Sequence, residues 1–237
     1  MSIYITGDIH ADLENDNRLN IFKTFKEDDI LIVLGDFGYS WNQATEKTWK
    51  SYNWPFMTVS VLGNHENYNR ICSLYKREEI FGDVAYKMCD RTYYLKTGGM
   101  YTIEGKKFFV FGGALSIDKV YRTPYLSWWP EEIPSDQECS EAEKTLKKND
   151  YKFDYFITHT GSEDEIDDMF LYIKDKFTDP TQKMVSQLVA EIQLNGGSFK
   201  EHFFGHMHAY NQRKGDRYTS TCLYAQIYNL NTGEMIF

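Results

Sequence analysis

An α/β fold with parallel strands in its first third is predicted by three observations. Apolar, β-prone runs recur at 2–6 (SIYIT), 29–34 (DILIVL) and 57–62 (MTVSVL). A short polar word carrying a glycine follows each run. Helical spacing then follows, with Leu19, Phe22 and Phe25 within 14–25 and a second helix expected over 45–52. After Asp29 the run at 29–34 is continuously apolar rather than alternating, as in a parallel strand covered on both faces. Three strand, loop and helix units in succession imply parallel pairing through crossover connections.

Beyond residue 90 the pattern changes. Short strands are expected at 92–96, 101–104 and 107–111, separated by Gly98-Gly99 and Glu104-Gly105-Lys106, as a meander or hairpin pair. Ser135 and Glu138 form a capping box for a helix reaching Lys148, and 155–158 is a further buried strand. The segment 162–195 carries Glu163, Asp164, Glu165, Asp167 and Asp168 and two helical stretches broken near Asp179-Pro180; it could form a helical cap within the domain. Its acidic residues read as a solvated face near a helix N-terminus rather than a third metal site. A strand at 200–204 and two strands within 218–237, joined at Asn231-Thr232-Gly233, complete an expected single domain over 1–237.

With 42% hydrophobic and 16% aromatic residues in 237, the chain can bury a large core without staples. A net charge of −9 argues against a stable nucleic-acid partner, which needs a positive field. Cys72, Cys89, Cys139 and Cys222 are widely spaced and read as reduced thiols. No stretch resembles a membrane span, and a first motif at Gly7 leaves no room for a leader ahead of it, so a cytoplasmic location away from membranes is expected.

The chemistry lies in five words: Gly7-Asp8-Ile9-His10, Gly35-Asp36, Gly63-Asn64-His65-Glu66, Thr158-His159-Thr160 and Gly205-His206-Met207-His208. Each follows a strand, so their polar residues emerge along one edge of a sheet. Asp8 and His10, one residue apart, would point the same way from an extended segment and could share a cation; His206 and His208 have the same spacing. Asp36 offers two oxygens, enough to bridge two cations. Oxygen and nitrogen donors without thiolate suit Mn²⁺, Fe, Co²⁺, Ni²⁺ or Zn²⁺. Singly, each word is an ordinary turn; their joint order is what points to metal.

This order resembles that of the calcineurin-like metallophosphoesterase superfamily, from about residue 3 to 208. The resemblance implies a four-layer α/β/β/α sandwich of two mixed sheets flanked by helices, with a dinuclear metal site at the C-terminal ends of strands. It implies that Asp8, His10 and His208 hold one divalent ion, most simply Mn²⁺, that Asn64, His159 and His206 hold the second, and that Asp36 bridges them. It further implies phosphoester hydrolysis by a metal-bridging hydroxide, with His65 meeting the substrate without binding metal.

The chain also departs from the pattern. Protein serine/threonine phosphatases of the superfamily extend the second word to Gly-Asp-x-x-Asp-Arg, whereas Tyr39 and Ser40 stand here. That weakens the alternative reading as a phosphoprotein phosphatase. The loop from Gly112 to Arg122 could supply the phosphate contacts instead, through Asp118 and Arg122. Trp129, in the aromatic stretch Trp128-Trp129, could stack a base and favour a small nucleotide-type phosphoester. His202, within a strand, is expected to pack or hydrogen-bond rather than bind metal. A non-catalytic scaffold of the same shape is the remaining alternative, and it is disfavoured by the intact set of seven candidate ligands plus His65. Oligomeric state is left open.

Overall fold

A computed structural model describes residues 1–171 and 178–237. The three leading runs form β1 (Ile3–Thr6), β2 (Ile30–Val33) and β3 (Met57–Ser60), parallel and adjacent as expected. They centre an eight-stranded sheet that includes β4 (Lys76–Ile80), β5 (Asp83–Cys89), β6 (Thr92–Leu95), β13 (Ile227–Asn229) and β14 (Glu234–Met235), in the order β14-β13-β1-β2-β3-β6-β5-β4. A six-stranded sheet holds β7 (Gly99–Ile103), β8 (Lys106–Phe111), β9 (Tyr155–Thr158), β10 (Glu201–Phe204), β11 (Asn211–Lys214) and β12 (Thr219–Cys222), in the order β11-β12-β10-β9-β8-β7. Both sheets are mixed: β8, β9, β10 and β12 run parallel, with β7 and β11 antiparallel at the edges.

Alternation along each strand sorts the core into layers. Ile3, Ile5, Ile30, Ile32 and Val59 face Phe108, Val110, Ile157 and Phe203 between the sheets. On the outer face of the larger sheet, Leu31 and Val33 pack with Phe22, Trp49 and Ile71 of α1 (Leu19–Phe22), α2 (Gln43–Ser51) and α3 (Tyr68–Leu74). On the outer face of the smaller sheet, Phe109, Phe111 and Phe156 meet Leu146 of α4 (Asp136–Lys148) and Leu188 and Ile192 of α6 (Pro180–Leu194). The result is the four-layer α/β/β/α sandwich. The capping box that starts α4 is present, with Ser135 and Glu138 exchanging hydrogen bonds.

Several expected elements are corrected. The helix expected over 14–25 shrinks to Leu19–Phe22, because turns, one of them closed by the Arg18 N–H donating to Asp16 Oδ1, take up the backbone before it. The expected meander is split: β6 joins the larger sheet and β7 the smaller, so the chain changes sheets at 96–98. The hairpin β4–β5 is an unexpected addition; β4 (KREEI) is an exposed edge strand whose charges guard against pairing and erase the apolar alternation. The tail forms β12, β13 and β14 rather than two strands, with β11 before them.

In the 162–195 segment, α5 (Glu163–Met169) and α6 flank a stretch of which 172–177 falls outside the described residues. Asp179 caps α6, accepting the Thr181 N–H at 2.8 Å. Glu165 belongs to no solvated face: it is fully buried against His202. Among the described residues, no helix is long and apolar enough to cross a membrane.

Candidate metal centre

The parallel strands of both sheets end on one side of the molecule, and the five polar words leave from those ends. Asp8 follows β1, Asp36 follows β2, and Asn64 and His65 follow β3; His159 follows β9, and His206 and His208 follow β10. Two groups of donors result. Ligand atoms of Asp8, His10 and His208 lie within 4.8 Å of one another, as do those of Asp36, His159 and His206. Asn64 Oδ1 joins the second group, 2.9 Å from His159 Nε2. Asp36 stands between the groups, with Oδ1 3.3 Å from His159 Nε2 and Oδ2 3.9 Å from His10 Nε2.

Hydrogen bonds from outside aim these donors inward. His159 Nδ1 donates to the Leu34 carbonyl at 2.6 Å, which turns Nε2 toward Asp36 and Asn64. Asn64 Nδ2 donates to Ser116 Oγ at 3.0 Å, and Ser116 in turn donates from Oγ and N to the Glu132 carboxylate at 2.5 and 2.9 Å. That chain leaves Asn64 Oδ1 facing the site. Ser116 lies in the loop from Gly112 to Arg122 and Glu132 just beyond Trp128-Trp129, but no spacing there signalled a role behind Asn64.

Two buried acceptors are left over. Among the described residues, Asp8 Oδ2 and Asp36 Oδ2 have no hydrogen-bond partner, a costly state for a buried carboxylate oxygen. The Nε2 atoms of His10 and His208 are 3.1 Å apart. Two imidazoles side by side on one cation, with bonds of about 2.1 Å, place their nitrogens about 3 Å apart. The residues therefore fit divalent cations, and an oxygen and nitrogen set without thiolate suits first-row metals.

Charge state agrees with that fit. Burial pushes His10 down to about 4 and His206 down to about 3, and lowers His208, so these rings are neutral at neutral pH, the form that could bind a cation. Burial also pushes Asp8 up to about 7, opposed by His159. His159 goes the other way, to about 9: burial lowers it, but the Asp36 and Asp8 carboxylates outweigh that. A proton on this ring balances the carboxylates as a cation would.

The backbone that presents the donors is strained. His10, Asp36, His206 and His208 all adopt the left-handed region, at φ +52°, +47°, +65° and +48°. The extended geometry expected for Asp-x-His and His-x-His is thus replaced by tight turns, and His206 and His208 diverge to different groups. Gly35 has φ +91°, and a Cβ there would lie 2.3 Å from His159 Nδ1. Glycine is required for that close approach.

His65 sits at the mouth of this centre, its N–H held by Asp36 Oδ1 at 2.7 Å. Arg122 Nη2 is 3.5 Å from His65 Nε2, and Asp118 grips the same guanidinium through two hydrogen bonds of 2.7 Å. Burial, followed by the opposing pull of Asp36 and the push of Arg122, leaves the His65 imidazole below its ordinary pKa. A cleft of about 1100 Å³ opens here, lined among others by His65, Asp118, Ile166, Asp168, His206 and His208.

Trp129 is a correction. It is 1% exposed and packs edge-on against Trp41 at 5.4 Å, so it offers no face for stacking a base. Tyr39 and Ser40 also turn away from the cleft. Ser40 Oγ, Tyr94 OH and the Phe37 N–H all donate to the buried Glu66 carboxylate, while Tyr39 stacks on Phe37. His202 bonds Glu165 at 2.8 Å and Thr158 at 2.7 Å, and among the described residues belongs to neither group of candidate metal ligands.

Two mixed sheets carry at their strand ends two groups of residues that could hold metal ions, the architecture of a class of metal-dependent phosphoric ester hydrolases. The chain belongs to the calcineurin-like phosphoesterase family, whose model matches residues 1–210. Among solved structures, it is similar in fold to a Staphylococcus aureus protein assigned as a 5′-nucleotidase, with a TM-score of 0.51 and 13% identity over 96% of this chain. The chain spans 50% of that protein's length. It is also similar to the phosphopantetheinyl hydrolase PptH of Mycobacterium tuberculosis, with a TM-score of 0.51 and 15% identity, covering 94% of this chain and 89% of that one. No curated protein matches the sequence.

Proposed function

We propose that the chain hydrolyses small phosphoesters at a centre of two divalent cations, with Asp8, His10 and His208 holding one, Asn64, His159 and His206 the other, and Asp36 bridging. The observation that carries this reading is the pair of buried oxygens, Asp8 Oδ2 and Asp36 Oδ2, that lack a hydrogen bond among the described residues and lie within 4 Å of the His208 and His10 rings. When bound, the cations supply Lewis acidity that activates water and neutralises phosphoryl oxygens. The chain's own residues do the rest. His65, at the cleft mouth, donates a proton to the leaving oxygen. Arg122, oriented by Asp118, contacts a phosphoryl oxygen beside His65 in place of the arginine that the Tyr39-Ser40 departure removes. One folded unit over 1–237, Mn²⁺ as the working ion and a cytoplasmic setting accompany this reading.

The leaving group is taken as a small organic moiety, nucleotide-type or other. Burial of Trp129 removes the aromatic argument for a base, so among the described residues of the cleft no aromatic platform argues for nucleotides over simpler esters. The test is hydrolysis by metal-stripped protein resupplied with Mn²⁺, using an aryl phosphomonoester, a bis-aryl phosphodiester and a nucleotide. Turnover that depends on added metal and falls by about 10²–10⁴ in His65→Ala supports the assignment. Unchanged kcat in that variant removes His65 from the chemistry. No turnover with any metal revives the scaffold reading.

A further inference from the structure

Arg18 has no place in the motifs, yet it is 3% exposed and uses its whole guanidinium beneath the centre. Nη2 donates to the Asp8 carbonyl at 2.6 Å. Nη1 donates to the carbonyls of Gly7 at 3.1 Å and Tyr224 at 2.7 Å and to Thr6 Oγ1 at 2.7 Å. Asp16 neutralises the charge, taking Nε at 2.9 Å and Nη2 at 2.7 Å. Such a site needs the planar five-donor fork of arginine; a lysine ammonium has three donors at one point.

What Arg18 holds belongs to one side of the centre. The Asp8 carbonyl fixes the turn that presents the Asp8 carboxylate. Tyr224, held by its own carbonyl, lays its ring parallel to His208 at 4.5 Å and 14°. Two of the three residues in the Asp8, His10 and His208 group are therefore tied to one guanidinium, across more than 200 residues of chain. The other group is supported elsewhere, His159 by Leu34 and Asn64 by Ser116.

We infer that Arg18 is a positioning residue that sets the affinity of the Asp8, His10 and His208 site selectively, by locking the β1 turn to the Tyr224 platform under His208. This rests on the two-cation reading above. Removing such an outer support costs about 10–100-fold in metal affinity. The same loss is expected at one site only.

The experiment is calorimetric titration of metal-stripped protein with Mn²⁺, read together with Mn²⁺ paramagnetic resonance to distinguish paired from single ions. Wild type is expected to take two ions. Arg18→Lys is expected to keep one site at wild-type affinity and weaken the other about 10–100-fold, with single-ion spectra at one equivalent. Asp16→Asn, which loosens the guanidinium without removing it, is expected to move the same site less far; it decides the matter if Arg18→Lys fails to fold by near-ultraviolet circular dichroism. Adding Asn64→Ala to either variant should then weaken the retained site. Wild-type affinities at both sites in the folded variants, or equal weakening of both, overturns the inference. A wild type that takes up fewer than two Mn²⁺ overturns the two-cation reading itself, a result distinct from loss of selectivity.

Discussion

Arg122 Nη2 lies 3.5 Å from His65 Nε2, and His65 and Asp118, the partner of that guanidinium, both line the cleft. His65 and Arg122 are 57 positions apart and come from loops after different sheets. A cation held so near His65 disfavours a second positive charge on the ring, and under the proposed function both side chains contact the same phosphoryl group.

Arg122→Ala is accordingly expected to lower kcat/KM for an aryl phosphate by about 100-fold, the usual loss for one charge-stabilising donor. Bound Mn²⁺ should remain at the wild-type stoichiometry. Asp118→Asn should have a smaller effect in the same direction, through a less rigid guanidinium. Steady-state kinetics with metal analysis checks both, and an unaltered kcat/KM in Arg122→Ala would remove this residue from the site.

Trp129 is a core residue, so its truncation should read out as stability. Trp129→Ala is expected to cost about 3–5 kcal/mol in denaturant unfolding. The ratio of KM for a nucleotide to KM for an aryl phosphate should not move at a temperature where the variant is folded. A selective rise for the nucleotide would reinstate a stacking role.

Gly35→Ala places a methyl group 2.3 Å from His159 Nδ1 in a backbone region that alanine avoids. The hydrogen bond from His159 to Leu34 must then break or shift. The expected outcome is lower stability together with loss of about one bound Mn²⁺ per chain, measurable by elemental analysis after desalting. Retention of both ions at full affinity would contradict the proposed role of His159.

Glu165 gives an acid limb to the stability profile. Burial works to raise its pKa, but His202, Ser220 and the Ser162 N–H outweigh it and bring the carboxyl from 4.5 to about 2. A depressed carboxyl contributes stability that is fully present above its unfolded pKa and lost as pH falls toward the folded value. That contribution is about 3 kcal/mol and should fade between 4.5 and about 2. Glu165→Gln should be less stable than wild type at neutral pH and should lack this part of the acid slope in urea melts followed across pH. Parallel slopes in the two proteins would show that the pair carries no such linkage.

Local regularity governed what could be read without coordinates. β2 announces itself because a strand covered on both faces is apolar along its whole length, β1 and β3 through β-branched and aromatic residues ahead of a glycine word, and α4 through its capping box. β4 is hidden for the opposite reason, since a solvated edge strand needs charge rather than alternation. The division of the 92–111 region between two sheets has no local cause; it depends on which edge each strand finds.

By itself the sequence determined the identity of the polar words and their position after strands, because ligating chemistry demands particular side chains and a strand end is the place to expose them. Tertiary structure alone decided how those side chains converge. Left-handed turns at His206 and His208 send neighbouring rings to different groups, the Leu34 carbonyl selects the nitrogen that His159 offers, and Arg18 and Arg122 reach the centre from segments with no motif. Residue type is a property of the chain. The aim of a lone pair or an N–H depends on backbone and packing partners that only the folded chain brings into contact.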